Sequence, residues 1–253
     1  MSSNQEEFLR KIRFALGHAA DIRREAPELF PLQPSAESME LLKRIRQRGA
    51  QERRQLLAQM VEAGKPINLT VTPLVDKAAA ASAIIDLVRQ RSPEWDNQNQ
   101  VAAWRHPLID ALDLGAAFQS ANLPFYVVDS VPVEGGDPAR SQIRQNVSAA
   151  YIGITSADFA MADTATLVMR TRPGQPRSVA VVPSIHVAVI EVNLILADLK
   201  ELYTLLRWDT REWENGLSNY MSFISGPSKT ADIEATMVHG AHGPREVHVF
   251  VLT

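Results

Sequence analysis

The chain has 253 residues, 45% hydrophobic, 6% aromatic and 22% charged, a soluble globular composition with enough apolar material for one large core or two small ones. Its formal net charge of −3 provides no field that would gather nucleic acid. The complete lack of cysteine excludes disulfides, thiolate zinc sites, cysteine nucleophiles and cysteine-ligated iron–sulfur clusters within these residues.

The N-terminal stretch MSSNQEEFLRKIRFALGH carries charge throughout and lacks the uninterrupted apolar core of a signal peptide, so the cytoplasm is the expected location. Phe8, Ile12 and Leu16 recur every four residues and predict a first amphipathic helix. Leu41, Ile45, Leu56 and Met60 predict a second, and the proline-spaced APELFPLQPS between them cannot continue a helix. The run Lys43 to Arg54 holds six basic residues and one acid. Such a run is either a solvated helix face or a docking surface for an acidic partner, and Gly49 and Arg53 interrupt its apolar stripe, so a bend is expected there. Residues 1–66 carry 12 Lys/Arg against 9 Asp/Glu, and the remainder 14 against 20. That shift, with the change of pattern that follows, sets the expected boundary between a helical extension, 1–66, and an α/β domain, 67–253.

From residue 67 strands and helices alternate. PINLTVTPL, QVAAW, PFYVVD and YIGIT read as strands, with helices over Asp76–Arg91, Leu108–Ser120 and Ala139–Ser148 and a glycine-marked loop at SVPVEGGDP. Alternation of this length predicts a mainly parallel sheet with helices on both faces, a three-layer α/β/α class. The most apolar long stretch, VAVVPSIHVAVIEVNLIL, contains Pro183, His186, Glu191 and Asn193, which fits buried sheet and no membrane span. EVHVFVL closes the chain as a strand that includes His248.

The motifs that carry chemistry lie after Gly153. ISGPSKTADIE looks like a phosphate-binding loop, but Gly226 lies only three residues before Lys229, Ser228 stands where the second glycine belongs, and Pro227 removes an N–H from the cradle. It is no nucleotide P-loop. A weaker anion site, with Ser228, Lys229 and Thr230 at a helix start, competes with plain capping by Thr230, since Asp232 and Glu234 would repel a phosphate. On that helix His239 precedes the C-cap Gly240, and His242 and Gly243 follow; H-x-x-H alone is a weak metal signal, and none is assigned. In ADTATLV, Asp163 serves a ligand or closes a turn on its own backbone, with Thr164 and Thr166 beside it. Arg170, Arg172 and Arg177 flank Pro173-Gly174, where they grip an anion or form an exposed hairpin tip.

Taken in order, ADFAMADTATLV, PSIHVAVI, ISGPSKTADIE and HGAHGP before a last strand resemble the lactate utilization protein C family, the LUD-domain group also called the YkgG family. The likeness covers the C-terminal hundred residues closely and the N-terminal opening loosely. It implies the NagB/RpiA/CoA-transferase-like form of the α/β/α fold. It also implies a component of a bacterial L-lactate utilization system, which oxidises L-lactate to pyruvate, acting as a non-redox subunit with two iron–sulfur partner proteins. It names no cofactor for this chain. Carried over by position, it points to Asp163, Thr166 and His186 for chemistry. For ligand binding it points to Thr164, Gly226, Ser228, Lys229, Thr230, His239, Gly240, His242 and Gly243. Of these, Asp163, Thr166, His186 and the Gly226–Thr230 turn are expected to line a site at the C-terminal edge of the sheet. Ala165 stands where the family commonly has Gly, Lys229 where it often has Arg, and Ala241 in place of a more usual Val. The alternative is an enzyme of the wider fold acting on a sugar phosphate, an acyl-CoA or another carboxylate.

Overall fold

The structure is a computed structural model that describes residues 4–17, 31–95, 100–128, 136–213, 220–231, 237–240 and 242–253. Contacts divide the chain into two compact units, Met1–Met39 and Glu40–Thr253. The first unit contains α1 (Asn4–Ala15), on which Phe8 and Ile12 are exposed.

In the second unit six strands form one parallel sheet: β1 (Leu69–Leu74), β2 (Gln100–Ala103), β3 (Phe125–Val127), β4 (Ala150–Thr155), β7 (Ile185–Glu191) and β12 (Glu246–Leu252). Their spatial order is β1-β12-β7-β4-β2-β3, with every neighbouring pair parallel. All six residues of β4 and the first six of β7 are buried, the continuous apolar pattern of strands covered on both faces. On one face α4 (Lys77–Gln90), α5 (Pro107–Asp110) and α6 (Leu114–Ser120) bury Ile84, Val88, Leu108 and Phe118 against Ile152, Ile154, Val187 and Val189. Asp76 caps α4 by accepting from the Ala79 N–H at 2.8 Å, which sets where that helix starts.

The other face meets α3 (Ala50–Gly64), α7 (Gly136–Ser148) and α8 (Ser178–Val181), through Leu56, Met60, Val147 and Val179. A small second sheet shares this core: β8 (Ile195–Leu196), β5 (Phe159–Met161), β6 (Thr166–Arg170) and β9 (Met221–Ile224), in that order. Side-chain alternation gives it two buried faces. Ala160, Leu167 and Met169 belong to the main core, while Phe159, Met161 and Val168 pack with Leu42 and with Leu202 and Leu205 of α9 (Leu199–Trp208).

The backbone of α8 lies directly on β4 at Gly153, where an added Cβ would sit 1.8 Å from the Val179 carbonyl oxygen. Gly153→Ala is therefore expected to cost about 1–3 kcal/mol, read as a lower urea midpoint with an unchanged m-value.

The basic run breaks where glycine interrupts it: α2 (Ala36–Arg46) stops short of Gly49, which precedes α3 in extended conformation. Three of its arginines pair with buried carboxylates, and only Arg48 is itself buried. Arg44 and Arg48 pair with Glu201, and Arg46 pairs with Asp209. One expectation is overturned. The described residues after Ser228 form no helix: β10 (Lys229–Ala231) pairs antiparallel with β11 (Met237–His239), Lys229 opposite His239 and Thr230 opposite Val238. Thr230 is thus not an N-cap and Gly240 not a helix C-cap; Gly240, at φ 83°, turns the chain after a strand. Asp232, Glu234 and Ala241 lie outside the described residues.

Candidate functional site

Strand order positions the site. The chain runs from β2 to its neighbour β3, then crosses to β4 on the other side of β2, so the connections diverge at the C-terminal ends of β2 and β4. Ligand crevices of open α/β sheets form at such a divergence. A cleft of about 630 Å³ opens here. Its wall takes Lys77 from the start of α4, His106 after β2, Ser156 to Phe159 after β4, and Glu191 from the last position of β7. The small sheet adds Arg170, Arg172 and Gln175, and Glu212 completes it.

Asp158 anchors the cationic side. Its carboxylate accepts from the Arg170 N–H at 2.7 Å, from Arg170 Nε at 2.9 Å and from Arg172 Nη2. Burial by itself would raise its pKa, but the hydrogen bonds and charges of Arg172 and Arg170 outweigh that and hold it below the usual carboxylate range. A carboxylate so saturated with donors orients arginines and makes a poor base. Arg170 is fully engaged, since its Nη2 also donates to Glu212 at 2.7 Å and its guanidinium lies over the Phe159 ring. Arg172 has 35% of its side chain exposed.

The turn that carries Arg172 is fixed to the segment after β2 that carries His106. Gly174 adopts φ 75° with its carbonyl accepting from the Arg105 N–H, and the Trp104 indole donates to the Pro176 carbonyl at 2.9 Å. Gln175 Nε2 donates to the Arg105 carbonyl at 3.2 Å. His106 Nδ1 accepts from the Leu108 N–H at 3.2 Å. Burial lowers the His106 pKa, with Arg172 adding to the effect against Asp158, Asp110 and Glu191, so the ring is neutral at pH 7 and carries its proton on Nε2. Two of the lining residues, Ser156 and Gln175, also have a side-chain oxygen (Oγ and Oε1) that is buried without a hydrogen-bond partner. The cleft is lined by a guanidinium, an ammonium and a neutral imidazole, groups that can donate to an anion.

The sequence profile of the LUD domain family matches residues 57–252, well over half of the chain. The chain belongs to the LUD domain family. Similar to it are Lactate utilization protein C from Exiguobacterium sp., 38% identical over 98 residues (39% of this chain, 42% of that one), and Lactate utilization protein C from Halalkalibacterium halodurans, 30% identical over 145 residues (57% and 58%). The chain spans about half the length of the curated relatives it matches. The crystal structure of a DUF162 family protein from Deinococcus radiodurans shares the fold, with a TM-score of 0.50 at 18% identity over 79% of this chain and 98% of that one.

The motif residues of this LUD domain gather elsewhere. Asp163 and Thr164 occupy the exposed turn between β5 and β6, Thr164 Oγ1 donating to Asp163 Oδ1 at 3.1 Å. Thr166 Oγ1 lies 2.9 Å from Thr164 Oγ1 and 2.6 Å from Ser225 Oγ. Gly226, at φ 86°, packs so closely on Ile67 that a Cβ would lie 2.8 Å from its carbonyl oxygen. The Ser228 carbonyl accepts from the Gly240 N–H, its N–H donates to the Pro244 carbonyl, its Oγ accepts from the His242 N–H, and Gly243 sits against its Cβ. Because Ile67 precedes β1 and Pro244 precedes β12, these turns meet at the N-terminal end of the main sheet, opposite to the expected edge. His186 stands apart from both places. It is wholly buried on β7, its Nε2 2.8 Å from Thr155 Oγ1, and burial with the nearby His248 lowers its pKa to about 3. None of these motif residues lines the cleft.

Of the three arginines read as an anion grip or an exposed hairpin tip, Arg170 and Arg172 line the cleft and pair with Asp158, which lies in ADFAMADT, while Arg177 lies over the Tyr220 ring. Lys77, His106, Ser156, Gln175 and Glu191 gave no local signal, because only the strand order brings them together. Ala165 shows why glycine suits its position: its φ is 48°, and its methyl group is completely buried.

Proposed function

We propose that this LUD domain binds a small carboxylate in the cleft and serves a lactate-utilization system. In that role it is a subunit without cysteine-ligated clusters of its own, working with iron–sulfur partner proteins that carry the electrons. The observation that carries the site is the cleft at the divergence of β2 and β4, lined by the cations Lys77 and the partly exposed Arg172. The lactate assignment rests on the names of the relatives. A sugar phosphate or acyl-CoA suits the cleft less well, since Asp158, Glu191 and Glu212 balance Lys77, Arg170 and Arg172 and leave no excess positive charge for a multiply charged phosphate.

A thermal-shift panel of L-lactate, pyruvate, a sugar phosphate and an acyl-CoA tests the reading. A carboxylate at about a hundred times its Kd adds ~2.7 kcal/mol, a rise on the order of 5–10 °C for a chain of this size. Arg172→Ala leaves Asp158 its Arg170 partner, so it is expected to keep the fold while weakening carboxylate binding about tenfold or more. A response only to phosphates, or unchanged affinity in Arg172→Ala, would sink the carboxylate site.

A further inference from the structure

The C-terminal end of α9 and the single turn after it, Thr210–Trp213, gather arginines and aromatic rings at the surface. Two guanidiniums each spend Nε and Nη2 on one carboxylate: Arg46 donates to Asp209 at 3.1 and 2.7 Å, and Arg211 does so at 3.1 and 2.7 Å. The Asp209 side chain is buried, while those of Arg46 and Arg211 are 41% and 61% exposed, so one hidden anion holds two surface cations in place. Beside them Arg207 lies over the Trp208 ring, 4.8 Å from its centroid, and donates to the Tyr203 hydroxyl at 2.7 Å. Tyr203 and Trp213 are exposed, and the Trp213 indole is held by donating to the Leu206 carbonyl at 2.8 Å. Three guanidiniums around one carboxylate make a local positive excess on a chain whose net charge is −3.

We propose that this surface docks an acidic segment of a partner protein, with Arg46, Arg207 and Arg211 taking its carboxylates and Tyr203 and Trp213 its apolar side chains. Oriented guanidiniums form forked pairs with carboxylates, and Arg, Tyr and Trp are the side chains on which the energy of protein interfaces concentrates. The charge excess favours an acidic partner over a neutral one. A nucleic acid fits less well, because its binding needs a track of phosphate contacts and the chain as a whole is acidic. The surface adjoins the cleft: Glu212, between Arg211 and Trp213, is the carboxylate that pairs with Arg170 in the cleft wall.

Fluorescence anisotropy of a labelled octapeptide of alternating glutamate and leucine, titrated with the full chain, provides the test. This peptide is expected to bind about tenfold or more tighter than its glutamine–leucine counterpart. Arg211→Gln leaves Asp209 its Arg46 partner, and it and Arg207→Gln are each expected to weaken the acidic peptide about tenfold. Arg89→Gln, the same loss of charge at an exposed position of α4 on the opposite face of the main sheet, is expected to change nothing. Equal affinity for the two peptides, no binding of either, or an equal loss in Arg89→Gln overturns the docking surface, as does tighter binding of a twelve-residue oligothymidylate. Sedimentation of the chain alone covers the remaining occupant: a dimer that Trp213→Ser dissociates would assign this face to a second copy and overturn the proposal as well.

Discussion

Replacing Glu201 by alanine is expected to cost about 3–5 kcal/mol of stability, the largest effect of a single substitution outside the cleft. The Glu201 and Arg48 side chains are 2% and 3% exposed, with Arg48 Nη2 donating to Glu201 Oε1 at 2.7 Å. Arg44 Nη2 reaches the same oxygen at 3.2 Å, while Oε2 accepts from the Ala197 N–H at 2.7 Å. Arg48 also donates to the Ile195 carbonyl and to Glu52. One buried carboxylate thus joins the break between α2 and α3 to β8 and the start of α9. Its removal leaves a buried guanidinium without its main partner, which costs far more than an exposed pair would. Urea unfolding of Glu201→Ala and Arg48→Met, alone and together, measures this. The double variant is expected to recover much of the loss, because no charge then remains buried; strictly additive losses would refute the coupling.

Acid is expected to destabilise the protein through His186 well above the carboxylate range. Its ordinary pKa is 6.5, and burial holds the folded value near 3. The unfolded chain therefore takes up a proton below pH 6.5 while the native state does not, so stability falls as pH falls, approaching about 1.4 kcal/mol per pH unit. Between pH 7.5 and 5 this amounts to roughly 2 kcal/mol. His106, also lowered, acts in the same direction. The depressed carboxylates Asp158, Asp209 and Glu246 contribute stability that is lost only as pH falls below their ordinary values, so the slope above pH 5 belongs to histidine. His186→Gln keeps a hydrogen-bonding partner for Thr155 and is expected to flatten that slope. An unchanged slope in the variant, or an NMR titration of the wild-type ring near 6.5, would refute the assignment.

Elements with strong local patterns were legible. The alternation after residue 66 marks the parallel sheet, and IHVAVIE reads as a strand because five of its six consecutive buried positions are apolar, the sixth being His186. The hairpin of β10 and β11 was misread because Thr230 followed by acids is a local helix-start signal, whereas the strand is decided by pairing with Met237–His239. The basic run from Lys43 was legible in part: Lys43, Arg44, Arg46 and Arg54 are exposed as on a solvated face, whereas the burial of Arg48 depends on Glu201, more than 150 residues away. The cleft is the extreme case. Lys77, His106, Ser156, Gln175 and Glu191 lie at the ends of separate elements, and each is unremarkable until the order β1-β12-β7-β4-β2-β3 places them around one opening.

Two groups of residues therefore compete for the ligand: the cleft at the C-terminal edge and the turns at the N-terminal end. Backbone NMR of the labelled chain titrated with L-lactate separates them most directly. The account expects the amide signals of Ser156, Asp158, Arg172 and Gln175 to shift with one common affinity, while those of Asp163, Thr166, Gly226 and Gly243 stay in place. Shifts confined to the second set would move the site to the opposite end of the sheet and contradict the assignment of the cleft.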